Sequence, residues 1–226
     1  MIRFVTGTGV GVGKTITTAV LARRDVENGK RVAYLKPVET GAGPDDIGDA
    51  AFVADAVGIP THEALRFSAR LDPALAAEQG AVSIGLDWLV DLARAHASAV
   101  DVLYVEGNGG LFSALSGEHT TSELAQRRGA DLIVVTRTGL GILNEVGLTV
   151  EVAKSRQLYV AGLVVNHFPA NPGAIEDAIL TRLRRAAPLL GLIAETEGLD
   201  TSAAPSRPFD LDFVVDDGSP GSVPAS

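Results

Sequence analysis

Cysteine is absent from the 226-residue chain. That removes a disulfide framework, a thiolate-bound zinc or iron–sulfur centre and a cysteine nucleophile. The four histidines, His62, His96, His119 and His167, share no metal-ligand spacing and are assigned no role. Positive charge is also short. Nineteen Lys and Arg stand against 28 Asp and Glu, a formal net charge of −9. A field of that sign excludes bulk affinity for nucleic acid or for an anionic membrane surface, so any phosphate ligand must be held by local geometry. No apolar run approaches the roughly 18 residues of a membrane span. The first residues, Met1-Ile2-Arg3-Phe4-Val5-Thr6, enter a strand-like segment without the apolar stretch of a signal peptide. A cytoplasmic protein is the expectation.

What is present is a foldable composition, 46% hydrophobic and 21% charged, long enough for one substantial core. Short apolar, β-branched runs predict strands at residues 2–6, 31–36, 101–106, 131–136, 159–166 and 190–193. They are near-continuous rather than alternating, as in parallel strands covered on both faces. Between them, helical patterns cover 14–27, 49–57, 87–97, 121–128, 142–154 and 172–185, with Trp88 and most apolar helix positions assigned to the core. This alternation predicts an α/β fold: one domain over residues 1–215, built on a doubly wound, mostly parallel central sheet with helices on both faces. The Gly/Ser/Pro-rich stretch 216–226 reads as a flexible tail.

In such a sheet ligands bind beyond the carboxyl ends of the strands. After the first strand comes Gly7-Thr8-Gly9-Val10-Gly11-Val12-Gly13-Lys14-Thr15, running into a helix. Its glycines let successive N–H groups converge on an anion without Cβ interference, and the helix start adds its dipole. Lys14 is placed to reach the outer phosphates and Thr15 to ligate magnesium. From Gly7 to Gly13 the loop is one residue longer than the usual G-x-x-x-x-G-K-[ST] pattern. A glycine-rich turn that merely packs helix on strand would not need the Lys-Thr ending, and a dinucleotide fingerprint would not place it there.

The other strand ends add polar candidates. Lys36, before Pro37, either points to the phosphate edge or snorkels to solvent. Thr40-Gly41 is a candidate anion turn. Asp45, Asp46 and Asp49 precede or open a helix and are helix caps or magnesium ligands. Glu106 ends a buried strand, where an acid is costly unless it meets a cation, and Gly107, Gly109 and Gly110 follow it. Gly139 to Asn144 opens a helix as a second anion site or a plain capped start. Asn166 either reads a purine edge or is a strand-end turn residue.

These pieces resemble, in order, the ATP-dependent dethiobiotin synthetases, P-loop ligases of biotin biosynthesis. The resemblance is carried by Val5–Thr8 through Val12-Gly13-Lys14-Thr15, Lys36-Pro37-Val38-Glu39-Thr40-Gly41, Asp49, Pro73-Ala74-Leu75-Ala76-Ala77-Glu78 and Val105-Glu106-Gly107-Asn108-Gly109-Gly110. Leu140-Gly141-Ile142-Leu143-Asn144, Leu148-Thr149-Val150-Glu151 and Asn166 complete it, and the extra loop residue is a family trait. The resemblance implies closure of a ureido ring from 7,8-diaminopelargonate and CO2, with ATP as co-substrate and Mg2+ as cofactor. It implies Lys36 and Lys14 as catalytic and Thr15, Asp49 and Glu106 as magnesium ligands. Gly11, Val12, Gly13, Lys14, Thr15, Ile16, Asp49, Glu106, Gly107, Asn108, Gly109 and Asn166 would bind the nucleotide. Thr40 would meet the substrate, and Gly141, Ile142, Leu143 and Asn144 of the neighbouring subunit in a homodimer would hold its carboxylate.

The chain departs from the family at Val10, where threonine is usual, at Asn108 for alanine, at Glu145 for histidine and at Ala194-Glu195-Thr196 for a proline-containing segment. The competing readings are a paralogue that binds nucleotide without turnover and a switch ATPase of the partitioning or septum-positioning type. The latter carries a lysine early in the phosphate loop, and none stands between Arg3 and Lys14 here.

Overall fold

A computed structural model describes residues 1–195 and 213–215; the 216–226 tail and Thr196 lie outside the described residues. Eight strands form one sheet in the order β3-β2-β4-β1-β5-β6-β7-β8. They are β1 Ile2–Gly7, β2 Val32–Thr40, β3 Thr61–Phe67, β4 Val102–Glu106, β5 Asp131–Arg137, β6 Val160–Phe168, β7 Leu189–Ala194 and β8 Phe213–Val215. The first seven run parallel, and β8 pairs antiparallel with β7. The helices are α1 Lys14–Glu27, α2 Asp49–Val57, α3 Pro73–Gln79, α4 Leu86–Ser98, α5 Thr121–Arg127, α6 Ile142–Ser155 and α7 Ala174–Ala186. No described helix is long and apolar enough to cross a membrane.

Because side chains alternate across a strand, each apolar run feeds two cores. Phe4, Leu103, Val105, Leu132, Val134, Leu163 and Val165 pack against α4 to α7. Their neighbours Val5, Val102, Tyr104, Ile133, Val135 and Val164 pack against α1 and α2. Leu103, Leu132 and Leu163 are fully buried, each stabilising the fold by about 1.5–3 kcal/mol. β1 lies between β4 and β5, and the chain winds away from it in both directions. That reversal opens a crevice at the carboxyl ends of the central strands.

Three departures from the sequence reading matter. The sheet gains both its edge strands, β3 and β8; the residues of β3, Thr61 to Phe67, are all only partly buried, and an edge needs no continuous apolar run, so the pattern hid it. The short α3 also escaped notice, although Pro73 opens it. Trp88 is 48% exposed rather than core: Leu86, Leu89, Val90 and Ala93 supply the buried stripe of α4, and Trp88 falls outside it.

β2 runs on through Lys36 to Thr40, so Lys36 sits inside a strand, not at its mouth. Pro37 is tolerated because the β2–β4 register ends at Leu35 opposite Val105 and Pro37 takes no part in the β2–β3 pairs. The alternation changes phase there. Tyr34 belongs to the α1/α2 core, yet Val38 packs into the opposite one.

Candidate active site

A cleft of about 680 Å³ opens at the carboxyl ends of β1, β2 and β4. Its floor is the loop joining β1 to α1. Gly11 and Gly13 there take φ of 73° and 88°, conformations that glycine alone enters freely. Gly13 caps α1 with no side-chain hydrogen bond, so the first N–H groups of the helix are free of side-chain caps and suited to an anion. A Cβ on Gly13 would fall 1.7 Å from the Asn166 amide nitrogen. That nitrogen donates to the Val12 carbonyl at 3.1 Å, so buried Asn166 braces the loop from behind.

Lys14 folds over the loop, its Nζ donating to the Gly9 carbonyl at 3.3 Å. Burial lowers its pKa and the nearby Lys36 charge adds to this, against the attraction of Glu106 and Asp49. Glu106, with no exposed surface, is the hub of the site. It accepts from Thr15 at 3.0 Å, Thr18 at 3.2 Å, the Tyr34 hydroxyl at 3.1 Å and Lys36 at 3.1 Å. Burial nevertheless pushes its carboxyl up, with Lys36 opposing.

Lys36 bridges Glu106 and Asp49. Burial opposes its charge, but Asp49, Glu106 and Glu39 together outweigh burial and raise its pKa, so the ammonium persists. The same contact carries Asp49 below the ordinary carboxylate range despite burial. Of Asp45, Asp46 and Asp49, Asp49 is the one in the cleft; Asp46 instead accepts the Gly43 N–H at 2.7 Å. Asp49 is the first helical residue, behind Gly48, and its own N–H is capped by Glu39 Oε2 at 2.8 Å.

Glu39 was not singled out from sequence. Strict alternation would set residues 36 and 39 on opposite faces, and the phase change at Pro37 puts both in the cleft. A proline inside a strand pattern was the signal available. Burial pushes the Glu39 carboxyl up to about 7, with Lys36 pulling the other way.

Thr40 and Asn108 face each other across the mouth at 3.5 Å. Arg70, Leu71, Asp72, Pro73 and His167 complete the wall and were also missed as site residues; they lie in segments after β3 and at the end of β6 that only the sheet order brings together. Gly11, Gly13, Ile16 and Gly109 line the cleft, whereas Val12 is buried in the α1-side core. Gly107 packs where a Cβ would meet Thr121 and Phe4. Gly141, Ile142, Leu143 and Asn144 open α6 and do not line this chain's cleft.

Two ammonium groups, a helix start and a hydroxyl–carboxylate cluster thus converge on one crevice, an arrangement suited to holding and moving a phosphoryl group. The chain is similar to several known proteins. The family model described as an AAA domain matches residues 3–203. The septum site-determining protein MinD of Pyrococcus horikoshii, with Mg-ADP, superposes with a TM-score of 0.54 at 19% identity, over 87% of this chain and 82% of that one. The MinC:MinD complex of Aquifex aeolicus gives 0.54 at 16%, over 88% and 83%. At such identities the likeness establishes the fold alone. Closer in sequence is the ATP-dependent dethiobiotin synthetase of Frankia casuarinae, 40% identical over 86% of this chain and 84% of its own. That of Mycobacterium marinum is 35% identical over 93% and 96%. With relatives so named matching along nearly the whole chain, and the phosphate loop, Lys36 and Glu106 gathered in one cleft, the chain belongs to the ATP-dependent dethiobiotin synthetase family.

Proposed function

We propose that the protein closes a cyclic urea, converting 7,8-diaminopelargonate and CO2 with ATP into dethiobiotin, ADP and phosphate. The observation that carries the reading is the buried Lys36 ammonium, held by Asp49 and Glu106 beside the Lys14 loop. One amine adds CO2 to form a carbamate. A carbamate oxygen attacks the γ-phosphorus and ADP leaves. The second amine then attacks the carbamoyl carbon and expels phosphate. Lys14 and Lys36 flank the migrating group and oppose its charge. The loop from Gly11 to Ile16, with Asn108 and Gly109, cradles the nucleotide, and Asn166 serves it through its bond to the loop.

Thr15, Asp49 and Glu106 are hard oxygen donors within one cluster and fit magnesium. Bound there, it would neutralise phosphate charge. Thr40 is placed for the substrate. Gly141, Ile142, Leu143 and Asn144 receive the substrate carboxylate from the neighbouring subunit of a homodimer. Their position off this chain's own cleft, beside exposed Leu140 and Leu148, supports that reading.

The test is incubation with diaminopelargonate, bicarbonate, magnesium and ATP, following phosphate and dethiobiotin. Equal amounts of both are expected. ATP hydrolysis indifferent to the diamine would overturn the proposal.

A further inference from the structure

The cleft holds a carboxylate whose second oxygen is left over. Glu39 is 6% exposed and lines the crevice. Its Oε2 accepts the Asp49 N–H, while Oε1 meets no donor among the described residues. Two nearby cations, Lys36 and Arg66, are committed elsewhere. Lys36 bonds Asp49 and Glu106. Arg66 is held by Glu63 at 2.7 Å and 2.8 Å and by the Gly43 and Asp46 carbonyls. Glu39 lines the cleft, so this oxygen is free to accept from a donor that enters there.

Asp49 and Glu106 add further negative charge beside Glu39, a surrounding that favours a positively charged donor. Resting on the function just proposed, we infer that Glu39 Oε1 receives an amino group of the diamine substrate while Oε2 holds the start of α2. The phase change at Pro37 is what allows this: it sets the amine acceptor on the same side of β2 as Lys36, within the crevice where the phosphoryl group moves. One residue then reads the N–H that a hydroxyl or methyl analogue cannot supply in the same charged form, the discrimination a buried polar partner makes best.

The Glu39→Gln variant separates this role from support of α2, because its amide oxygen can still accept the Asp49 N–H. KM for diaminopelargonate is expected to rise about tenfold or more with loss of the charged hydrogen bond, with KM for ATP and the magnesium half-saturation unchanged. Calorimetry of diaminopelargonate binding, in the presence of a non-hydrolysable ATP analogue, is expected to give the same shift without turnover. An unchanged diamine affinity, or a parallel rise for ATP or magnesium, would overturn the inference and leave Glu39 as a helix support. Should Glu39→Gln not fold, Glu39→Asp keeps the charge one methylene short, and the diamine KM again rises alone. Wild-type binding of the diamine without turnover would sink the function and leave this site standing; no diamine binding at all would sink both.

Discussion

Two buried carboxylates lie near opposite ends of α1 and resemble each other closely. Glu106 meets the start of the helix, taking hydrogen bonds from Thr15, Thr18, Tyr34 and Lys36. Asp25, in its last turn, takes Arg3 at 2.7 Å, Lys30 at 2.8 Å and the Tyr104 hydroxyl at 2.8 Å. The two tyrosines are register partners on adjacent strands, Tyr34 opposite Tyr104. Yet one cluster borders a cleft and the other does not. Around Asp25 the donors close a network whose cations, Arg3 and Lys30, also reach solvent; it fastens α1 to the sheet. Around Glu106 the cation is a lysine almost out of water, and the network opens on the cleft. Burial alone therefore does not mark a candidate site; a buried charge network facing a cavity does.

Substitutions can break this comparison. The largest effect is expected at Lys36→Ala, with turnover falling about 10²–10³-fold while ATP affinity changes far less; equal losses in both would reassign Lys36 to plain nucleotide binding. Asp25→Ala is expected to cost about 1.5–3 kcal/mol, read as a lower denaturant midpoint, with KM values retained. A loss of ATP affinity there would erase the distinction between the clusters.

The tyrosine pair sharpens it. Tyr34→Phe and Tyr104→Phe should each destabilise by about 1 kcal/mol, but only Tyr34→Phe should also raise the magnesium half-saturation of the reaction. The smallest effect concerns exposed Asp101, whose hydrogen bonds to Arg31 hold its carboxyl at about 2. With an unfolded value of about 3.9, its contribution is complete above that pH and disappears as the pH falls through about 2. The acid limb of thermal stability should therefore be shallower in Asp101→Asn than in wild type.

Much of this was legible beforehand. The glycine-rich loop and Glu106 were recognisable from the residues themselves, because a charged residue at the end of an apolar run is conspicuous; for Lys36 and for Asp49 among its acidic neighbours the residues left alternatives, and the family resemblance chose between them. β3 was not legible, since an edge strand such as Thr61–Phe67 needs no continuous apolar pattern. Nor was Glu39, since a two-residue period points it away from Lys36 until Pro37 shifts the phase. For Asn166, local sequence left open a base contact or a turn; the fold aims its amide at Val12, 154 positions away.

The amino-acid order by itself determined the layered α/β architecture and the glycine-lined loop before α1, because hydrophobic period and backbone freedom are local properties. Which acids share the cleft with Lys36 was decided only by tertiary structure. Strand order brings β2 beside β4, and the electrostatic partners of a buried ammonium depend on distances through space that no neighbouring residue encodes.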